Sequence, residues 1–231
     1  MTIATSAVTT RRTFITSAAA AMTLAGCATT GNGLGGLPNL AQVLKDLLGL
    51  SAERAFVQLL QPDGFLNDEL ARLDLPGELQ GTGGFIASIL QTPAFRDALL
   101  KQVNAAATVA AEVAEPIVDD AIRSLTFADA QAVLSGGPQA ATSILEARIG
   151  DGLGDRIVPA ALRGLGIGNT EIVTRAISAV AGFDIDALAG NVGRQASSSI
   201  FRAIGREEAA IRADPASTNN PALIAALLAL G

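Results

Sequence analysis

An all-α fold is predicted for residues 39–231: an irregular bundle of about eight or nine helices with one long kinked helix. Three observations predict it. Apolar residues recur three and four apart along most of the chain, and no segment sustains the alternation of a strand. Alanine and leucine dominate, tryptophan and tyrosine are absent, and there are only 8 phenylalanines. Such a core must be closely packed from small aliphatic side chains, which suits helices better than sheets. Asparagine, threonine, proline and paired glycines stand where the helical pattern starts and stops.

The first 26 residues read as an export signal rather than as structure. Arg11 and Arg12 are their only charged residues. Thr10, the arginine pair, Thr13, Phe14 and Ile15 resemble the twin-arginine pattern. The alanine-rich run behind them, to Gly26, is too short to span a membrane, which takes about 20 mostly apolar residues. Leu24, Ala25, Gly26 and Cys27 resemble the cleavage box of bacterial lipoproteins. Small residues there let an extended backbone enter the peptidase, and the thiol of Cys27 then becomes a thioether to diacylglycerol. Cys27 is the single cysteine of the chain, so an internal disulfide is excluded. One myristoyl-length chain anchors only marginally at about 0.8 kcal/mol per methylene, so the two or three chains of a lipoprotein would hold it stably. Residues 27–38, the acylated cysteine and a glycine-rich run, form a tether of about 18 Å root-mean-square span. Its Gly31, Gly33 and Gly36 match a dinucleotide-binding spacing but lack the flanking strand and helix. The expected location is the cell envelope, anchored and facing the periplasm. Ala28 after the cysteine favours the outer membrane in a Gram-negative host.

The helical domain follows from Asn39, a capping residue ahead of Leu40, Val43, Leu44, Leu47 and Leu48. Gly49 is expected to stop this helix and Ser51 to cap a second, with Phe56, Leu59 and Leu60 inward. Pro62, Asp63 and Gly64 break the pattern, and the run to Leu79 reads as a loop. Its Asp63, Asn67, Asp68 and Glu69 do not fit a calcium-loop spacing, and turn chemistry accounts for them. Thr92 and Pro93 open the longest helix, whose face runs through Phe95, Leu99, Val103, Ala106, Ala110, Val113 and Ile117. The alanines of 105–114 would admit a close neighbour, and Pro116 should kink the helix. Thr126 and Asp129 resemble a capping box, and Gly136-Gly137 ends that helix. Pro138 is expected to begin another, with Ile144 and Leu145 inward. Further helices are expected over 151–163, 171–181, 186–212 and 221–230, the last with Asn220 as cap and Pro221 in its first turn.

Several of these residues carry a family likeness. They include Asp63-Gly64-Phe65 with Asn67, Leu75-Pro76, Asn104 followed by two alanines, and Leu125-Thr126-Phe127-Ala128-Asp129-Ala130. Leu134-Ser135-Gly136-Gly137, Ala140-Ala141-Thr142, Pro159, Glu207-Glu208, Ile211-Arg212 and Asp214-Pro215 complete the set. Over roughly residues 40–231 the chain resembles the bacterial family called domain of unknown function 4197. The resemblance implies a small exported protein or lipoprotein, and no activity. The chain departs from the family pattern at Ala105, where an arginine is common, at Ser143 and Ile144, where aromatics are, and around Thr218–Asn220.

The residue inventory points away from an enzyme. Histidine is absent, which removes histidine-dependent triads and most zinc sites. No metal site and no cofactor are expected. Removing residues 1–26 takes away two of the 16 basic residues and none of the 22 acids, moving net charge from −6 to −8. Such a chain has no basic surface for nucleic acid. Glu208 and Arg212, four apart with the acid first, read as a helical ion pair. The expected function is a non-catalytic binding or structural module with an unknown protein or a small apolar ligand as partner. A carrier with an apolar or lipid ligand between helices is the alternative, and a hydrolase using carboxylates such as Asp63 or Glu208 the third.

The anchor is tested by Cys27→Ser, which should abolish acylation and shift the protein from the membrane to the soluble fraction. Arg11→Lys with Arg12→Lys should block export. Unchanged fractionation, or unimpaired export, contradicts the corresponding assignment.

Overall fold

The computed structural model describes residues 39–75, 92–134, 136–166 and 185–230. Among these the chain is all-α, with no strand. Seven helices are present: α1 (Leu40–Leu59), α2 (Gly64–Asn67), α3 (Pro93–Arg123), α4 (Phe127–Leu134), α5 (Ala140–Gly164), α6 (Ile185–Ala213) and α7 (Pro221–Leu230). A 3-10 turn at Pro215–Thr218 precedes α7. The expected signal, lipid-attachment site and tether, and the helix expected over 171–181, lie outside the described residues.

Two predicted breaks do not occur. α1 runs through Gly49 and Ser51 because Leu47, Leu48, Ala52, Ala55, Phe56 and Leu59 form one buried stripe across them. Burying each large side chain contributes about 1.5–3 kcal/mol, against about 1 kcal/mol for a glycine in a helix interior. Ser51 does not cap: it is buried and its hydroxyl donates to the Leu47 carbonyl at 2.7 Å. The same argument joins 138–150 to 151–163. α5 is continuous through Gly150, Gly152 and Gly154 because Leu145, Leu153, Ile157 and Ala161 keep one buried face. It starts at Ala140, two residues after Pro138, which lies in the preceding turn. One further helix was not predicted: the single turn α2, entered through Asp63 at φ 57°.

Both asparagine caps form as expected. Asn39 Oδ1 accepts from the Ala41 amide at 3.1 Å, and Asn220 Oδ1 accepts from Ala222 and Leu223 at 3.1 and 3.2 Å. α3 has Pro93 in its first turn and continues through Pro116, which is exposed. Its alanines do admit a neighbour. Ala106, Ala107, Ala110, Ala111 and Ala114 are fully buried, and a Cβ on Gly164 of α5 would stand 2.5 Å from the Ala106 Cα. Only glycine fits that approach.

α5 is the centre of the packing, with α3 on one side and α6 on the other; α1 lies against α6 and α3. The long α6 turns Leu188, Val192, Ala196, Ile200 and Ile204 inward. Glu208 and Ile211 continue that stripe, and both are fully buried. A carboxylate in that row is the feature from which the candidate site is built.

Candidate functional site

The first turn of an α-helix leaves backbone N–H groups without intrahelical partners, and a local side chain usually accepts from them. At α5 none does: Gln139 occupies the cap position and makes no side-chain cap bond. Glu208 of α6 serves instead. Its Oε1 accepts from the Ala141 amide at 3.1 Å, and its Oε2 from the Thr142 amide and hydroxyl, both at 2.7 Å. Arg212, one turn further along α6, donates Nε to Oε1 at 2.8 Å. The carboxylate has no solvent exposure and Thr142 is 4% exposed. Burial of a charge is costly unless it is paired and hydrogen-bonded, and a negative charge at a helix N-terminus has the favourable sign. The predicted ion pair therefore exists, but its main role is to cap another helix.

The Arg212 guanidinium is only partly used. Nη2 lies 2.8 Å from Glu208 Oε1 but is not aligned for a hydrogen bond, and this buried atom has no hydrogen-bond partner. Beside it opens a cleft of about 340 Å³. Val43, Leu44 and Leu47 of α1 form one wall, Ala130 and Val133 of α4 another. The Gly136–Pro138 turn and Leu227 of α7 complete it, and Arg212 is the one charged lining side chain among the described residues. Gly136 is required there, since a Cβ would fall 2.3 Å from that of Ala140.

α4 is held against α5 by a second carboxylate. Asp129 Oδ2 accepts from the Thr126 amide at 2.6 Å and the Thr126 hydroxyl at 2.8 Å. Arg148 Nη2 donates to Asp129 Oδ1 and Oδ2 at 2.8 and 2.9 Å. Thr126 and Asp129 thus cap as predicted, and Arg148 adds a tie to α5. The Thr126 amide is the main cause holding the Asp129 carboxyl below its ordinary value of 3.8; the Thr126 hydroxyl and Arg148 add to it, against the opposing effect of burial.

The remaining motif residues gather elsewhere. Gly64 packs where a Cβ would meet the Gln58 and Leu59 carbonyls at 2.5 Å, and Phe65 is fully buried. Asn67 donates its amide to Asp63 O at 2.9 Å, and both side chains face solvent. Asn104 accepts from the Leu73 amide at 2.9 Å and donates to the Leu73 and Leu100 carbonyls. From the other side, Arg202 donates to Leu70 O at 2.8 Å and Arg206 pairs with Asp68 at 2.7 Å. Burial raises the Asp68 pKa, but the Arg206 bond and the Leu70 and Ala71 amides outweigh it, leaving it below 3.8. These residues clamp the strap after α2 and form no cavity with Glu208. Pro215 begins the 3-10 turn, where its carbonyl accepts from Thr218 at 2.8 Å.

Two other clefts carry several charged side chains each. One of about 610 Å³ between α5 and α6 carries Glu146, Asp151 and Asp155 with Arg194, and one of about 520 Å³ between α1 and α3 carries Glu53, Glu115 and Asp119. Among the described residues there is no group of three or more carboxylates placed to hold a metal. No helix among them is long and apolar enough to cross a membrane.

Fold and site together define an all-α domain organised by a buried trans-helix cap beside a small apolar cleft. The family model described as "Protein of unknown function (DUF4197)" matches residues 37–227, and the chain belongs to that family. No curated protein and no solved structure matches the chain.

Sequence reasoning missed the bonds from Glu208 to α5, which cross 66 and 67 residues. Two signals pointed to them: Gln139 is a poor cap, and Glu208 falls four after Ile204 and three before Ile211, on the apolar face.

The Asp129 geometry predicts an acid limb. A depressed folded pKa gives stability that is present above the unfolded value and lost as pH falls through the folded one. Asp129→Asn should therefore cost about 1 kcal/mol near neutrality. The difference in Tm from the unaltered chain should shrink as pH drops from 6 to below 3.8. A constant difference contradicts the assignment.

Proposed function

We propose that the chain is a membrane-tethered cell-envelope lipoprotein whose helical domain is a non-catalytic binding module, with the cleft beside Arg212 as its site for a small apolar ligand. The arginine pair and the cleavage box ending at Cys27 support the address and the anchor. The acyl chains would be its link to the membrane, and Leu40, the first residue of α1, lines the cleft directly after the tether.

The observation that carries the binding reading is the contrast between the cleft and the carboxylates around it. Its walls are aliphatic, and its volume falls at the lower end of the roughly 300–1,000 Å³ of small-molecule sites. The buried Glu208 and the half-buried Asp129 nearby have their oxygens occupied by donors that hold helices in place. A carboxylate hydrolase needs acids free to meet substrate. Glu208 is fully buried, and Asp63 sits at the α2 turn in a different cluster.

The test uses the full-length chain carrying Cys27→Ser, which has no acyl chain to compete, titrated with the small neutral apolar fluorophore 1-naphthylamine. One saturable site per chain is expected, lost when Ala130→Phe fills the cleft. Non-saturable fluorescence, or binding indifferent to Ala130→Phe, overturns the reading.

A further inference from the structure

We infer that the cleft takes a single-chain amphiphile with a carboxylate head, its tail against α1 and α4 and its head on Arg212. The inference rests on the reading of the cleft as an apolar ligand site and specifies the chemistry at its polar end.

Volume sets the size of the ligand. An apolar cavity of about 150 Å³ holds the six carbons of benzene, so 340 Å³ admits roughly thirteen non-hydrogen atoms. That is a medium-length chain with a small head, such as decanoate. The walls set the character of the tail: Val43, Leu44, Leu47, Val133 and Leu227 offer no hydrogen-bonding side chain.

Charge sets the head. A guanidinium carries five N–H donors; Arg212 spends Nε on Glu208 Oε1, and Nη2, buried 2.8 Å from the same oxygen, makes no hydrogen bond, so four donors stand outside the Glu208 bond. A planar guanidinium edge matches a carboxylate better than it matches a hydroxyl. Arg212 is also free to engage a second anion without stranding the first. Glu208 keeps the Ala141 amide, the Thr142 amide and the Thr142 hydroxyl whatever Arg212 does. Those three donors, at the positive end of α5, offset the Glu208 charge and so reduce its repulsion of an incoming carboxylate. A cationic head would meet Arg212 as a like charge, and a neutral head would be held by its tail alone.

The experiment compares head groups on one tail. Decanoate, decanol and decyltrimethylammonium, each below its aggregation concentration, are titrated calorimetrically into the full-length Cys27→Ser chain. Decanoate should bind one site per chain about tenfold tighter than decanol, a gain typical of one charge-assisted hydrogen-bonded contact. Decyltrimethylammonium should not bind detectably. Arg212→Gln should bring decanoate to the affinity that decanol has in the same variant, and Arg212→Lys should fall between. Equal affinity for decanoate and decanol in the chain with Arg212 intact overturns the head-group inference and leaves the apolar-site reading standing. The absence of saturable binding by any of the three overturns both. The head-group comparison requires no change at Arg212, so it does not depend on how that variant folds.

Discussion

The carboxylate of Glu208, on the buried face of α6, fixes where α5 begins. α5 is the helix that α3 and α6 both pack against, and it has no capping side chain of its own. α6 supplies the missing acceptor from its buried face, so the start of one central helix is fixed by the interior of the other. Charge-assisted bonds of this kind are roughly twice as strong as neutral ones, but only a complete set offsets the desolvation of a buried charge. That requirement fixes more than one pair. The two amides and the Thr142 hydroxyl must all be in place, which sets the register of α6 against α5, and Arg212 adds a fourth donor from α6 itself. Once it is set, Gly136 can turn tightly over Ala140, and α4 closes the cleft beside Arg212.

A second set of side-chain bonds holds residues 68–73, the strap directly after α2. Asn104 from α3 and Arg202 and Arg206 from α6 bond to it from two sides. Most of the polar motif residues thus have structural employment, each satisfying a backbone group or an opposite charge. Arg212 is the exception, with a donor left over next to an apolar cleft. A site built by a helix-capping network and floored by its spare cation would be rigid at the polar end, which suits recognition of a head group more than catalysis.

Much of the architecture was legible in the sequence because it is local. Asn39, Asn220 and the Thr126–Asp129 pair act within a few residues of themselves, and the apolar stripes follow from helical periodicity. What was misread is where a local signal was outweighed by a distant one. Gly49 looks like a helix end, yet the burial of Phe56 and Leu59 beyond it outweighs the cost of a glycine within the helix. The candidate site was least legible. Glu208 and Arg212 read as a neighbouring pair on one helix, and nothing local shows that Thr142, 66 residues earlier, supplies two of the four donors. Only the placement of an acid on an apolar face carried that information.

If Glu208 caps α5 in the folded protein, hydrogen exchange at two amides will report it. First-turn amides normally exchange freely, because nothing within the helix accepts from them. Ala141 and Thr142 should instead be protected, and Glu208→Gln, which keeps the shape but places an amide donor among donors, should speed both by about tenfold or more. Exchange at the rate of an open chain in the unaltered protein, or protection untouched by Glu208→Gln, would contradict the account.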